Sequence, residues 1–175
     1  MNKQKLNLLI SDFMVMLFLV GIDQITKYFA ADFLQGNNGI ILINHVFKLQ
    51  YLENRGAAFG MMQNQKLFFI FITVIILGII IYVLWKTPNQ KKYKKLHFSL
   101  IMISSGALGN MIDRLRLNYV VDFLYFNMID FPIFNIADVY VTISAIYLIF
   151  LICFVYKEHD LDFISIKVRK FREVK

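Results

Sequence analysis

Apolar residues gather into four long runs separated by short polar stretches. Leu67 to Trp85 contains no charge and is bounded by Lys66 and Lys86. Leu96 to Ile112 ends at Asp113 and Arg114, and Val139 to Tyr156 begins after Asp138 and ends at Lys157. Leu6 to Ile22 is interrupted by Ser11 and Asp12 and continues amphipathically to Phe33. Crossing a hydrocarbon core of roughly 30 Å takes about 20 mostly apolar residues. The pattern therefore predicts four membrane helices, at 6–29, 67–85, 96–113 and 137–156, within one membrane domain over 1–157, followed by a basic tail at 158–175. A basic pair ahead of the first run, with Phe29-Ala30-Ala31 downstream, also fits a cleaved secretory signal. The amphipathic continuation and the three later runs favour retention, which makes the number of spans even.

Between the first two spans the pattern changes. Ile40 to Asn44 and Phe47 to Tyr51 are β-prone. Thr87-Pro88-Asn89 marks a turn in the linker Lys86 to Lys95.

Composition agrees with the pattern. Of 175 residues, 58% are apolar and 18% charged, and mean hydropathy is +0.58. An average soluble domain is about one-quarter charged, so a water-soluble globule is excluded. Cys153 is the single cysteine, which rules out an internal disulfide or a CxxC centre.

Charge sorts by side. Of the 19 Lys and Arg, two precede the first span, five lie between spans two and three, and six follow span four. The positive-inside rule makes these thirteen, and both termini, cytoplasmic. The formal charge of +7 then reports topology and attraction to anionic lipid, with no nucleic acid required.

Topology collects the remaining polar residues at the outer boundary. Asp23 to Lys27 end span one, Asn110, Asp113 and Arg114 end span three, Asn135 and Asp138 begin span four, and the outer loops carry Glu53, Asn54, Arg55 and Asp122. Each has a structural reading. Asp23 and Lys27 suit a solvated i,i+4 pair, Ser105 and Gly109 suit close helix packing, and Asn135 with Asp138 suits an N-cap and third-position carboxylate. Asp122 stands apart: it sits in the almost wholly apolar run Tyr119 to Phe126, where an ionised carboxylate is costly without a partner. That run is too short to span. It is expected to lie in the interface or fold back on the helices, bringing Asp122 towards the start of span four.

Two carboxylates in one apolar pocket share a proton, and such a pair activates water: one takes its proton while the other polarises a carbonyl and protonates the leaving amine. His45, His97 and His159 are scattered and no HExxH occurs, so neither a nucleophile–histidine site nor zinc is indicated. An aspartyl hydrolase is the chemistry these residues allow. A proton-conducting or transport subunit would also place carboxylates in the membrane, and a scaffold would make the acidic cluster incidental. Against transport, the carboxylates gather at one face, with only Asp12 deeper.

Five blocks then carry a resemblance: DQITK at 23–27, NRGAAF at 54–59, GALGNMIDR at 106–114, VVDF at 120–123 and FPIFNIAD at 131–138. Together and in this order, within four spans from about Gly21 to Tyr156, they resemble lipoprotein signal peptidase, the bacterial signal peptidase II. The resemblance implies a mainly α, four-transmembrane-helix bundle with a small extracytoplasmic β-cradle at about 37–64 and an interfacial segment, in the bacterial cytoplasmic membrane. It implies an aspartyl endopeptidase, without cofactor or metal, that cuts prolipoproteins just before a diacylglyceryl-modified cysteine. The family's catalytic pair falls on Asp122 and Asp138. Asp23, Lys27, Asn54, Gly56, Asn110, Arg114, Asn135 and Ala137 match positions that line or brace the site and hold substrate or a globomycin-type peptide inhibitor, and Asp113 matches a supporting position. The implied partners are lipidated precursors and the anionic bilayer, with the chain acting as a monomer.

Depth agrees with this. Asp138 to Tyr156 is 18 residue steps, about 27 Å of helix, so Asp138 belongs near the outer edge of the core, where a lipidated cysteine would sit. Gly56, Ala57 and Ala58 would let a loop approach closely, and Phe59 is expected to act as a lid over the pair.

Overall fold

A computed structural model describes residues 2–56 and 62–164. In chain order it runs α1 (Lys3–Leu34), β1 (Ile40–Ile43), β2 (Phe47–Asn54), α2 (Lys66–Lys86), α3 (Lys94–Leu117), β3 (Val120–Phe126) and α4 (Ile136–Phe150). Single 3-10 turns occupy Lys91–Tyr93, Asn127–Ile129 and Glu158–Leu161. A π turn, Leu151–Val155, extends α4. Among the described residues three helices are long and apolar enough to cross a membrane: α1, α2, and α4 with its π turn. The third expected span corresponds to α3, whose 24 residues are more polar.

Helices α1 and α3 turn large apolar residues outward and bury polar ones. In α1 the buried residues are Val20, Asp23, Lys27, Ala30 and Leu34, a stripe at three- and four-residue spacing that defines one helix face. Phe13, Met14, Phe18, Tyr28 and Phe33 point outward and are at least half exposed. This inverts the pattern of a soluble helix and suits a lipid surround. The Asp23–Lys27 pair is not solvated, as i,i+4 spacing alone would suggest; it is buried in the stripe.

Helix α3 is central, packed against α1, α2 and α4, and its polarity follows from that position. Ser99, Ser104, Ser105, Gly106 and Gly109 are among its buried residues. Ser104 and Ser105 return their hydroxyls to Leu100 O and Ile101 O, and Ser99 donates to Ser144 O of α4. A Cβ at Gly106 would overlap the Ala137 carbonyl, and one at Gly109 would overlap the Asp23 carboxylate. Small residues here set how closely α4 and α1 approach. At the end remote from the sheet, Leu151 joins Ile80, Leu84, Tyr93, Leu96 and Leu100 in an apolar cluster. There Lys5 donates to Leu84 O and Thr87 O at the end of α2, and His97 meets Asp12 at 2.6 Å.

The sheet has the antiparallel order β1-β2-β3. Gly39, at φ +80°, opens β1, and its missing Cβ leaves room for the Leu49 carbonyl. Of the two expectations for the run Tyr119 to Phe126, the fold-back on the helices holds, and Val120–Phe126 makes it as a strand. Its β-branched and aromatic residues favour that form. β3 pairs with β2 in the register Leu52↔Asp122 and Asn54↔Val120. Phe134 then bridges Leu124, accepting from Phe123 N and Leu124 N and donating back to Leu124 O. That bridge delivers the chain from β3 to the first turn of α4.

Candidate active site

Asp122 lies on β3 and is 1% exposed; Asp138 lies in the first turn of α4. Both line one cavity of about 720 Å³, together with Asn54, Gly56, Asn110 and Arg114. Asn135 joins the two carboxylates. Its side chain donates to Asp122 Oδ1 at 2.6 Å and accepts from Asp138 N at 3.0 Å, while its backbone N–H donates to Asp138 Oδ2 at 3.1 Å. The latter two bonds form a capping box, so the device that starts α4 also places Asp138. Asn54 donates to Asp122 Oδ2 at 2.8 Å, and Asn110 donates to Asp138 Oδ1 at 2.8 Å.

The two aspartates are placed unequally. Burial first, and the neighbouring Asp138 carboxylate second, push the Asp122 carboxyl from 3.8 up to about 7, against the lowering effect of the Asn54 and Asn135 bonds. Asp122 is therefore the carboxyl that retains a proton towards neutral pH, as a general acid must.

Behind the pair lies a second layer. Lys27, 3% exposed, reaches Asp23 at 3.0 Å, Asp113 at 2.9 Å and Asn110 Oδ1 at 2.8 Å. Asp23 accepts from the backbone N–H of Ala137 at 3.0 Å, and Asp113 from that of Val121 at 3.2 Å. Each carboxylate thus grips the residue adjoining one aspartate of the pair. Gln24 links the two carboxylates, donating to Asp113 Oδ1 at 2.9 Å and Asp23 Oδ2 at 3.2 Å. Sequence reasoning quoted Gln24 within its block without giving it a role. Its place between Asp23 and Lys27 was the available signal, since a residue one step from a buried pair shares that helix face in part.

Arg114 braces the cavity wall. It donates to Gly56 O at 3.1 Å and to Asn110 O at 3.5 Å, and its guanidinium lies 4.6 Å from the centre of the Phe69 ring. Gly56 N is held in turn by Asn54 Oδ1 at 3.0 Å. The rest of the lining is mainly apolar: Leu52, Phe131, Ile133, Phe134, Val139 and Ile143. Leu52 and Phe69 were not singled out in the sequence, and Phe131–Phe134 stood in its block without a role, because nothing separates a pocket-lining apolar residue from a packing one before the fold is known. Ala57, Ala58 and Phe59, with the expected lid, lie outside the described residues.

Residues 15–154 match the family model for signal peptidase (SPase) II. The chain is 48% identical over 141 residues to the lipoprotein signal peptidase of Caldanaerobacter subterraneus subsp. tengcongensis, covering 80% of this chain and 94% of the relative. It is 41% identical over 145 residues to that of Streptococcus pyogenes serotype M1, covering 83% and 92%. Among solved structures, a bacterial membrane enzyme determined by the in meso method at 2.3 Å resolution superposes with a TM-score of 0.72 at 33% identity, over 94% of each chain.

Proposed function

The chain belongs to the signal peptidase II family, and within it we propose that Asp122 and Asp138 are the two catalytic aspartates. As a member it is an aspartic protease of the bacterial membrane that removes signal peptides from prolipoproteins. The observation that carries the assignment is geometric: two carboxylates line one cavity and are joined through a single asparagine.

Asp138, accepting hydrogen bonds at both oxygens, serves as base. It takes a proton from water as the water oxygen bonds to the scissile carbonyl carbon. Asp122, the holder of the shared proton, polarises that carbonyl and then passes the proton to the leaving nitrogen as the C–N bond breaks. The products are the free carboxylate of the signal peptide and the amine of the next residue. That residue is a cysteine carrying diacylglyceryl, whose acyl chains suit the apolar lining of the cavity. Asn54, Gly56 and Arg114 hold the peptide backbone, and peptide inhibitors of the globomycin type occupy the same place.

In the bilayer α3 is the third of four spans, admitted despite its polarity because α1, α2 and α4 surround it. The basic residues place both termini and the tail 158–175 in the cytoplasm against anionic lipid. The sheet then forms an extracytoplasmic cradle and the cavity opens near the outer headgroups. The monomer is complete, since both aspartates come from one chain. Purified protein in detergent should shorten a diacylglyceryl-modified precursor, and Asp122→Asn and Asp138→Asn should each abolish this while remaining folded. Substantial cleavage by either variant would remove the aspartate pair from the mechanism.

A further inference from the structure

We infer that Lys27 is a positioning residue which fixes the direction of the hydrogen-bond chain through Asn110, so that Asn110 can only donate to Asp138. The inference rests on the reading of Asp138 as a catalytic base and names what holds that base's environment in place.

A lysine ammonium has three donors and no acceptor. Here all three are used: Asp23 Oδ2 at 3.0 Å, Asp113 Oδ2 at 2.9 Å and Asn110 Oδ1 at 2.8 Å. The group facing Lys27 must therefore be the carboxamide oxygen of Asn110. Asn135 adds a second donor to the same oxygen at 3.1 Å. With the oxygen claimed twice from within, the amino group of Asn110 faces outward and donates to Asp138 Oδ1 at 2.8 Å.

The reverse orientation is the natural one if the ammonium is absent. Asp23 and Asp113 are both buried beside Asn110, and two carboxylates without a cation would draw the amide N–H groups towards themselves. Asn110 would then turn its oxygen to Asp138, and an ionised Asp138 would face an acceptor in place of a donor. The remaining charged groups facing this junction are Arg114, on the same helix as Asn110, and Asp122 on β3. Neither bonds the Asn110 side chain, so neither substitutes for Lys27 in orienting it.

Lys27→Met alone leaves two buried carboxylates without their cation, so the double variant Lys27→Met/Asp113→Asn is the better probe. Both are compared with the wild-type chain in detergent, using a diacylglyceryl-modified precursor, with thermal melts to measure the folded fraction. A positioning role lowers kcat per folded molecule by roughly 10- to 100-fold, the range seen when an orienting partner is lost, and leaves KM within about threefold. A kcat unchanged per folded molecule overturns the inference, even while Asp138→Asn remains inactive and the aspartate reading stands. A wild-type chain that does not cleave overturns both. If the Lys27 variants melt below the assay temperature, Asn110→Asp decides: it keeps an acceptor for Lys27 and deletes the donor to Asp138. The same kcat loss then supports the inference, and full kcat overturns it.

Discussion

Gly106→Ala is a one-atom perturbation whose effect on catalysis should exceed its effect on folding. An added Cβ would lie 2.7 Å from Val141 Cγ2 and 3.2 Å from the Ala137 carbonyl carbon, and it would overlap the Ala137 carbonyl oxygen. The first contact can be relieved by a rotamer change. The other two are backbone, so α4 must retreat from α3 there by several tenths of an ångström or more. Overpacking of this kind costs about 1–3 kcal/mol. Asp138 is the next residue after Ala137, however, and a misplacement of about 1 Å at a reacting group can cost 100-fold in rate. Gly78→Ala on α2 is the control: nothing lies within 4 Å of its added Cβ, and helix propensity alone would make it neutral or stabilising by about 0.5–1 kcal/mol. Thermal melting in detergent, paired with initial rates on a lipidated precursor, separates the two effects. Wild-type turnover per folded Gly106→Ala molecule would refute the claim that the α3–α4 contact positions Asp138.

The Asp122 carboxyl sets a pH dependence of known sign. Raised from 3.8 to about 7, it keeps its proton in the folded chain over an interval where the unfolded chain has released it, so its contribution to stability is fully present below about 3.8 and is lost as pH rises towards 7. Melting temperature should fall across that window less in Asp122→Asn than in wild type, and wild-type kcat should decline above about pH 7 as the proposed general acid ionises. Asn54→Ala removes the 2.8 Å donor to Asp122 and the acceptor for Gly56 N; leaving a buried polar group unsatisfied costs about 1–3 kcal/mol, and kcat/KM should drop roughly 5- to 100-fold, with an unchanged value excluding the role. Leu151→Ala opens a cavity in the cluster remote from the sheet, so it should cost about 2–5 kcal/mol in stability while steady-state kinetics of the folded enzyme stay unaltered.

The helical frame was legible because apolar runs with sharp charged ends are a strong signal, and α2 begins and ends at the two lysines that bound its run. The strand at β3 was not, although the uncommon placement of Asp122 in an apolar run did indicate a fold-back. Strand pairing is a property of two segments, and β2 and β3 are 70 residues apart at their Leu52↔Asp122 match. The site residues were legible as types, because so few polar groups exist for the apolar chain to hide. Their grouping into two layers was not: Lys27 and Asp113 are 86 residues apart, and i,i+4 spacing alone cannot tell a buried pair from a solvated one.

The contacts between α1 and α3 bear on how the protein is made. Asp12, Asp23 and Lys27 all lie on α1, which leaves the ribosome before α3, and His97, Asn110 and Asp113, which complete their bonding, are synthesised some 85 residues later. During that interval α1 carries polar groups that lipid cannot satisfy. It must wait near the insertion machinery, or at the headgroups, until α3 arrives to lie beside it. A chain stopped after α2 would therefore be a nascent fragment with exposed intramembrane charge, a natural substrate for membrane quality control, although it already contains α2, the most apolar of the described helices.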